Sequence, residues 1–183
     1  MGYPDRMSHF AKSGKYGTLI KLMKLILCSD SHFNEDALKL VKEKYRDADL
    51  FVHCGDCLLT PEKMKGFLTV AGNLDDARLF PMEETLHAGN HRILIKHGHD
   101  VISGASPNYR ALAAYAKAKG FNTVFFGHTH VYCDRIVDGI RLLNPGSVWK
   151  NRDETPACLM ELDVTDTVIQ AARVNLIELK FRK

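Results

Sequence analysis

Short apolar runs, each ending abruptly in small and polar residues, set the rhythm of the first two-thirds of the chain. Lys24–Cys28 (KLILC), Leu50–Cys54 (LFVHC), Phe67–Ala71 (FLTVA), Arg92–Lys96 (RILIK) and Thr123–Phe126 (TVFF) are too short for buried helices and read as strands. Two stretches between them have helical spacing. Ala37, Leu38, Val41 and Tyr45 share one face of a helix from about Glu35 to Tyr45. Asn34 is its N-cap, and Glu35 and Asp36 stand in the first turn, where the helix dipole favours acids. Ser106-Pro107 opens a second helix, serine as cap and proline at the first position, and Gly120 closes it. From Val131 onward strands dominate: Val131–Val137, Ile140–Leu143, Ala157–Val164 and Val168–Leu179, with Asp138-Gly139 as a hairpin turn. Residues 1–22 are polar and irregular and are expected as a poorly ordered extension before a single domain at 23–183. Strands alternating with helices, then strands alone, predict an α/β domain whose loops gather functional groups at the carboxyl ends of strands.

Composition narrows the function classes. The chain has 183 residues, 45% hydrophobic and 26% charged, which suits one soluble domain with a sizeable core. A net charge of +3 is too small to point to nucleic acid or an anionic membrane. No apolar stretch approaches the roughly 20 residues of a membrane span. The N-terminus lacks the apolar core of a secretory signal, and Arg6 stands where a myristoylation motif needs Ser or Thr. A cytoplasmic protein is expected. Cys28, Cys54, Cys57, Cys133 and Cys158 are odd in number and read as reduced, buried thiols. Cys54-Gly-Asp-Cys57 spells C-x-x-C, but it straddles a strand end rather than opening a helix, and no second pair completes a zinc ribbon. Coincidence is the better reading.

The chemistry lies where the strands stop. KLILC ends in Ser29-Asp30-Ser31-His32, LFVHC in Gly55-Asp56, and FLTVA in Gly72-Asn73-Leu74-Asp75. RILIK ends in His97-Gly98-His99, and TVFF in Gly127-His128-Thr129-His130. In an extended segment, side chains at i and i+2 point the same way, so Asp30 with His32, and His128 with His130, can each present two donors to one centre. Gly55, Gly72, Gly98 and Gly127 fit sharp turns or close approaches. Carboxylates, a carboxamide and several imidazoles suit first-row divalent ions, and the donors are too many for one ion. A carboxylate bridging two ions accounts for them better.

These five blocks resemble the calcineurin-like metallophosphoesterase superfamily: D-x-H as Asp30-Ser-His32, G-D as Gly55-Asp56, G-N-H-[DE] as Gly72-Asn73-Leu74-Asp75, a histidine before glycine as His97-Gly98-His99, and G-H-x-H as Gly127-His128-Thr-His130. Asn144-Pro145-Gly146-Ser147 looks like the segment after the last block in small bacterial and archaeal members. The compact spacing is most similar to YfcE-type phosphodiesterases. The resemblance implies a sandwich of two mixed β-sheets with flanking helices. It implies one ion held by Asp30, His32 and His130, another by Asn73, His97 and His128, and Asp56 bridging them. It also implies hydrolysis of a phosphodiester by a metal-bound hydroxide attacking in line. Manganese, iron, zinc or nickel are the usual occupants, manganese foremost. Asp56, Asn73 and His99 are the candidate catalytic residues, His99 as a substrate contact or a partner of a ligand.

Leu74 departs from the pattern. It stands where the family often has histidine and YfcE-like members often have cysteine, and it can neither donate a proton nor hold a charge. Slow hydrolysis of poor leaving groups is therefore expected. A protein-binding scaffold on the same fold, like the retromer subunit with its impaired metal site, is the alternative function, although such scaffolds typically lose ligand histidines. Self-association is a mild expectation. Blander roles fit the rest: His9 is incidental, His53 a satisfied core or supporting histidine, and His87 and His91 surface residues beside a Gly-Asn turn. For Asp75, orienting a ligand and stabilising a turn are equally open.

Overall fold

The computed structural model describes residues 9–12, 19–102 and 107–182. In chain order the strands are β1 His9–Lys12, β2 Leu19–Cys28, β3 Leu50–His53, β4 Phe67–Thr69, β5 Glu83–Ala88, β6 His91–Lys96, β7 Thr123–Phe125, β8 Tyr132–Val137, β9 Ile140–Pro145, β10 Cys158–Val164 and β11 Ile169–Asn175. The helices are α1 Glu35–Lys44, α2 Tyr109–Ala118 and α3 Leu176–Leu179. One sheet runs β11-β10-β2-β3-β4, with β1 also pairing β2, and the other runs β5-β6-β7-β9-β8. Both are mixed. β2, β3 and β4 are parallel, as are β6, β7 and β9, and the remaining pairings are antiparallel.

Alternation along the strands builds the layers. On β2, Leu25 and Leu27 point inward with Val52, Cys54 and Val70 and meet Ile93, Ile95, Phe125 and Leu143 of the facing sheet. Ile26 and Cys28 point the other way and are covered by Leu38 and Val41 of α1 and Leu179 of α3. Leu94, Val124 and Leu142 of the second sheet are covered by Leu112, Ala113 and Ala116 of α2. Each large side chain so enclosed contributes about 1.5–3 kcal/mol. Helix, sheet, sheet and helix stack as four layers, which is the expected sandwich. Among the described residues no helix is long and apolar enough to cross a membrane.

Several boundaries differ from the sequence reading. The strand read at Lys24–Cys28 is β2 and begins at Leu19, and β1 pairs with its leading half, so part of the segment read as irregular is in a ladder. Helix α2 begins at Tyr109, because the side chain of Asn108 accepts from the Ala111 N–H and caps it. Pro107 therefore precedes the helix, and Ser106 lies outside the described residues. The last apolar stretch divides, β11 ending at Asn175 and α3 turning under α1. β5 has no counterpart in the sequence reading. As an edge strand with no fully buried side chain, it carries little apolar signal.

Candidate metal centre

The parallel strands deliver their carboxyl ends to one edge of the sandwich. Asp30 and His32 follow β2, Asp56 follows β3, and Asn73 follows β4. His97 and His99 follow β6, and His128 and His130 follow β7. The donors converge, but not by strand alternation. Asp30, His32, Asp56, His128 and His130 have φ of 52°, 43°, 53°, 65° and 56°. This left-handed backbone costs about 1 kcal/mol or more at each non-glycine position. Such residues gathered at one sheet edge mark a place where geometry has been kept at the expense of stability.

Glycine lets the strand ends close up. A Cβ on Gly72 would lie 2.1 Å from Asp56 Oδ1, and one on Gly127 would lie 2.0 Å from Ser29 Oγ. Asp75 completes the closure by accepting from the N–H groups of Leu58 at 2.7 Å, Gly72 at 2.8 Å and Cys57 at 3.3 Å. It ties the Asp56 loop to the Asn73 loop, which settles it as a turn stabiliser. Lys96, only 2% exposed, reaches Asp100 at 2.6 Å and braces the turn that holds His97 and His99.

Two groups of donors form. Asp30, His32 and His130 make one, and Asp30, Asp56 and His97 the other. Asp30 is fully buried, and its Oδ2 accepts from Ser29 Oγ at 2.6 Å and from the His128 N–H at 3.1 Å. Its Oδ1 has no hydrogen-bond partner, yet it lies 3.1 Å from His130 Nε2, 3.9 Å from His97 Nε2 and 4.0 Å from His32 Nε2. Asp56 Oδ1 accepts from the Leu74 N–H at 2.8 Å, and Oδ2 faces His97 Nε2 at 3.3 Å. The carboxylate common to both groups is thus Asp30, while Asp56 stands in the second alone. Asn73 is exposed, and the ring of half-buried His128 stands 5.2 Å from that of His97. His128 stands outside the two tight groups.

Backbone carbonyls aim the imidazoles. His97 Nδ1 donates to the Cys54 carbonyl at 2.7 Å and His130 Nδ1 to the Lys150 carbonyl at 2.8 Å, so both Nε2 atoms face the carboxylates. His97 Nε2 is itself buried without a hydrogen bond, and His130 Nε2 sits 3.1 Å from His32 Nε2. Orphaned carboxylate and imidazole atoms pointing at shared space fit borderline divalent ions bound through nitrogen and oxygen.

Electrostatics agree with that fit. Burial works to raise the Asp30 carboxyl, but His130, His97 and Ser29 overcome it and hold it below the usual value. Asp56 is held at about 2: burial opposes this, and His97 with the Leu74 N–H prevails. His97 and His130 are raised, burial being outweighed by Asp56 and Asp30 respectively. His32, His128 and His99 are lowered, mainly by burial. Protons and metal ions would compete for the same nitrogen lone pairs.

The remaining histidines and cysteines have quieter places. His53 Nδ1 accepts from the Gly55 N–H and Nε2 donates to Ser31 Oγ, with burial pushing its pKa down to about 4. It supports the loops of Ser31 and Gly55 from behind. His87 and His91 flank the Gly89-Asn90 hairpin turn. All five cysteines are free and buried. Burial raises Cys54 well above the usual thiol value and Cys57 to about 12, so neither supplies a thiolate. A Cys54→Ala/Cys57→Ser variant is expected to keep hydrolytic activity within about tenfold of wild type, since only the thiolate is a redox nucleophile. Complete loss of turnover in a folded, metal-loaded variant would overturn this.

Sequence reasoning missed the side chains on the turn after β9. Asn144 Nδ2 donates to the Gly127 carbonyl and Ser147 Oγ to the Asp30 carbonyl, which draws Trp149 and Arg152 to the mouth of the site. The Asn144–Ser147 segment stands out as a motif, whereas Trp149 and Arg152 carry no such signal.

Comparison with known proteins agrees with the geometry. A family model described as the calcineurin-like phosphoesterase superfamily domain matches residues 23–167. A probable metallophosphoesterase, YsnB of Bacillus subtilis, is 32% identical over 129 residues, covering 69% of this chain and 75% of that protein. A solved Streptococcus pneumoniae protein described as a predicted phosphoesterase superposes with a TM-score of 0.76 at 24% identity, covering 85% of this chain and 91% of that one. A solved archaeal phosphodiesterase superposes with a TM-score of 0.65 at 19% identity, covering 83% of this chain and 100% of that one.

Proposed function

The chain belongs to the calcineurin-like phosphoesterase superfamily, and on that premise we propose that it hydrolyses phosphodiesters at a centre of two divalent transition-metal ions, manganese foremost. The observation that carries this reading is the unsatisfied buried pair, Asp30 Oδ1 and His97 Nε2, among donors held in left-handed backbone. The name of the archaeal neighbour favours diesters as the substrate class.

Asp30, His32 and His130 would hold one ion, and Asn73, His97 and His128 the other, with Asp56 between them. Asn73 and His128 would turn their side chains inward to complete the second set. When bound, such ions would supply a nucleophile from water at neutral pH and offset charge on the phosphoryl oxygens. The residues do the orienting. Lys150 and Cys54 carbonyls fix which nitrogen each ligand imidazole presents, and the Leu74 N–H fixes one oxygen of Asp56. His99, whose ring stands 5.5 Å from that of His97, is placed to donate a hydrogen bond to an ester oxygen.

Metal analysis of the purified protein, with a hydrolysis screen of diesters and monoesters, tests the reading. About two ions per chain and turnover of an activated aryl diester are expected. A folded protein that takes up no transition metal would favour a protein-binding scaffold instead. Asp56→Ala should lower metal content at both positions and reduce hydrolysis by about a hundredfold or more, because coordinating charge is worth several kcal/mol in the transition state. Asp56→Ala with wild-type metal content would remove Asp56 from the bridging role and leave it to Asp30.

A further inference from the structure

We propose that the turn after β9 recognises the organic part of the substrate, Trp149 stacking on a flat aromatic group of a phosphate ester while Arg152 holds its phosphate. This rests on the phosphoesterase reading above and adds the substrate class to it.

Trp149 is the chain's single tryptophan and is 52% exposed. Its ring meets that of His32 at a tilt of 49°, centroid to centroid 5.0 Å. Core packing gives no reason for so large an apolar surface at the lip of a polar site. Nor is the ring on a slack loop. Ser147 Oγ, which donates to the Asp30 carbonyl at 2.8 Å, accepts from the N–H groups of Trp149 at 3.0 Å and Lys150 at 2.9 Å. Buried Asn151 accepts from the Ser147 N–H at 2.7 Å and donates to the Pro156 carbonyl at 2.7 Å. The turn is therefore preorganised, and a ring mounted on it loses little freedom when it binds.

Arg152 leaves the same turn toward the other histidines. Its backbone N–H donates to the His130 carbonyl at 3.0 Å and its Nη1 to the His128 carbonyl at 3.3 Å. None of the ion pairs among the described residues includes it. A guanidinium without an acid partner, beside His128 and His130, is suited to a phosphate oxygen. Two more apolar side chains stand at the same ligand loops. Phe33, directly after His32, is 68% exposed with its N–H fixed on the Cys57 carbonyl, and Leu74, directly after Asn73, is 53% exposed. An exposed ring and a cation on one preorganised turn fit an aromatic phosphate ester better than a bare or alkyl one.

Because Trp149 is the only tryptophan, its emission reports on its own ring. The manganese-loaded full-length protein is titrated with adenosine 5′-monophosphate, phenyl phosphate and inorganic phosphate, followed by fluorescence and calorimetry. Adenosine 5′-monophosphate should change the Trp149 emission saturably and bind roughly tenfold more tightly than phosphate, the usual scale of one base–aromatic stack. In Trp149→Ala the ratio of the two dissociation constants should fall to about one, Trp149→Phe should restore most of it, and Arg152→Met should weaken all three. A preference extending to phenyl phosphate identifies any flat ring as the recognised group, and one confined to the nucleotide identifies the base; either supports the proposal. Equal affinities in the wild type, or an undiminished ratio in Trp149→Ala, overturn it. Failure of the phosphoesterase reading looks different: no phosphate binding and no hydrolysis of an activated aryl diester by any form of the protein, which would take this proposal with it.

Discussion

Asp30→Asn should strip the protein of most of its bound metal and slow hydrolysis of an activated aryl diester by about a thousandfold or more. Asp30 is the carboxylate shared by both donor groups, and its free oxygen lies within 4.0 Å of three imidazoles. Asparagine keeps the shape, and its side chain can still engage Ser29 and the His128 N–H. What it removes is the negative charge. A coordinated ion contributes several kcal/mol to an ester's transition state, each 1.36 kcal/mol being tenfold in rate, so loss of the centre reaches a thousandfold readily. Elemental analysis and kcat/KM on the same folded preparation make the test. Two ions per chain with unimpaired turnover in Asp30→Asn would show that Asp30 is a structural acid and the donors lie elsewhere.

Wild-type hydrolysis should depend steeply on the leaving group, and Leu74→His should flatten that dependence, with gains of about 10²–10⁴-fold on the poorest leaving groups. Leu74 offers no proton. His99 is the other group within reach, its ring 5.5 Å from that of His97 and 6.2 Å from that of His128. Burial and the neighbouring His97 hold His99 below the ordinary imidazole value, so at neutral pH it is largely uncharged and a weak acid. It can donate a hydrogen bond without surrendering the proton. The measurement is a series of aryl and alkyl diesters on wild type, Leu74→His and His99→Ala. A shallow dependence in wild type that becomes steep only in His99→Ala would make His99 the general acid.

The strand ends that carry the donors were legible because each follows a run of buried aliphatic residues and ends in residues that cannot continue it. Helix α1 was legible down to its Asn34 cap, because a cap and an apolar face are local signals. The reason the donors meet was not. Alternation along extended backbone puts Asp30 beside His32 on paper, yet both residues lie in left-handed turns, a conformation that Asp and His adopt more often than most residues but too seldom to be read from sequence. β5 escaped because an edge strand needs no continuous apolar face. The end of β11 escaped because Leu176 and Leu179 are as apolar in α3 as they would be in a strand. Trp149 and Arg152 matter only because Ser147, far along the chain from β2, bonds back to Asp30, a relation no window along the sequence contains.

The candidate donors are divided between the two sheets, Asp30, His32, Asp56 and Asn73 on one and His97, His128 and His130 on the other. On the proposed reading, each ion therefore joins layers that are otherwise held by the apolar contacts between them and by a few hydrogen bonds at this edge. Ion uptake and folding become a single mass-action equilibrium. An ion present at a hundredfold excess over its dissociation constant adds about 2.7 kcal/mol to the native state, and chelation withdraws it. Where degradation follows the population of opened chains, the lifetime of the protein then follows metal supply as closely as its activity does. Scarcity would then lower the amount of the protein together with the activity of the molecules that survive.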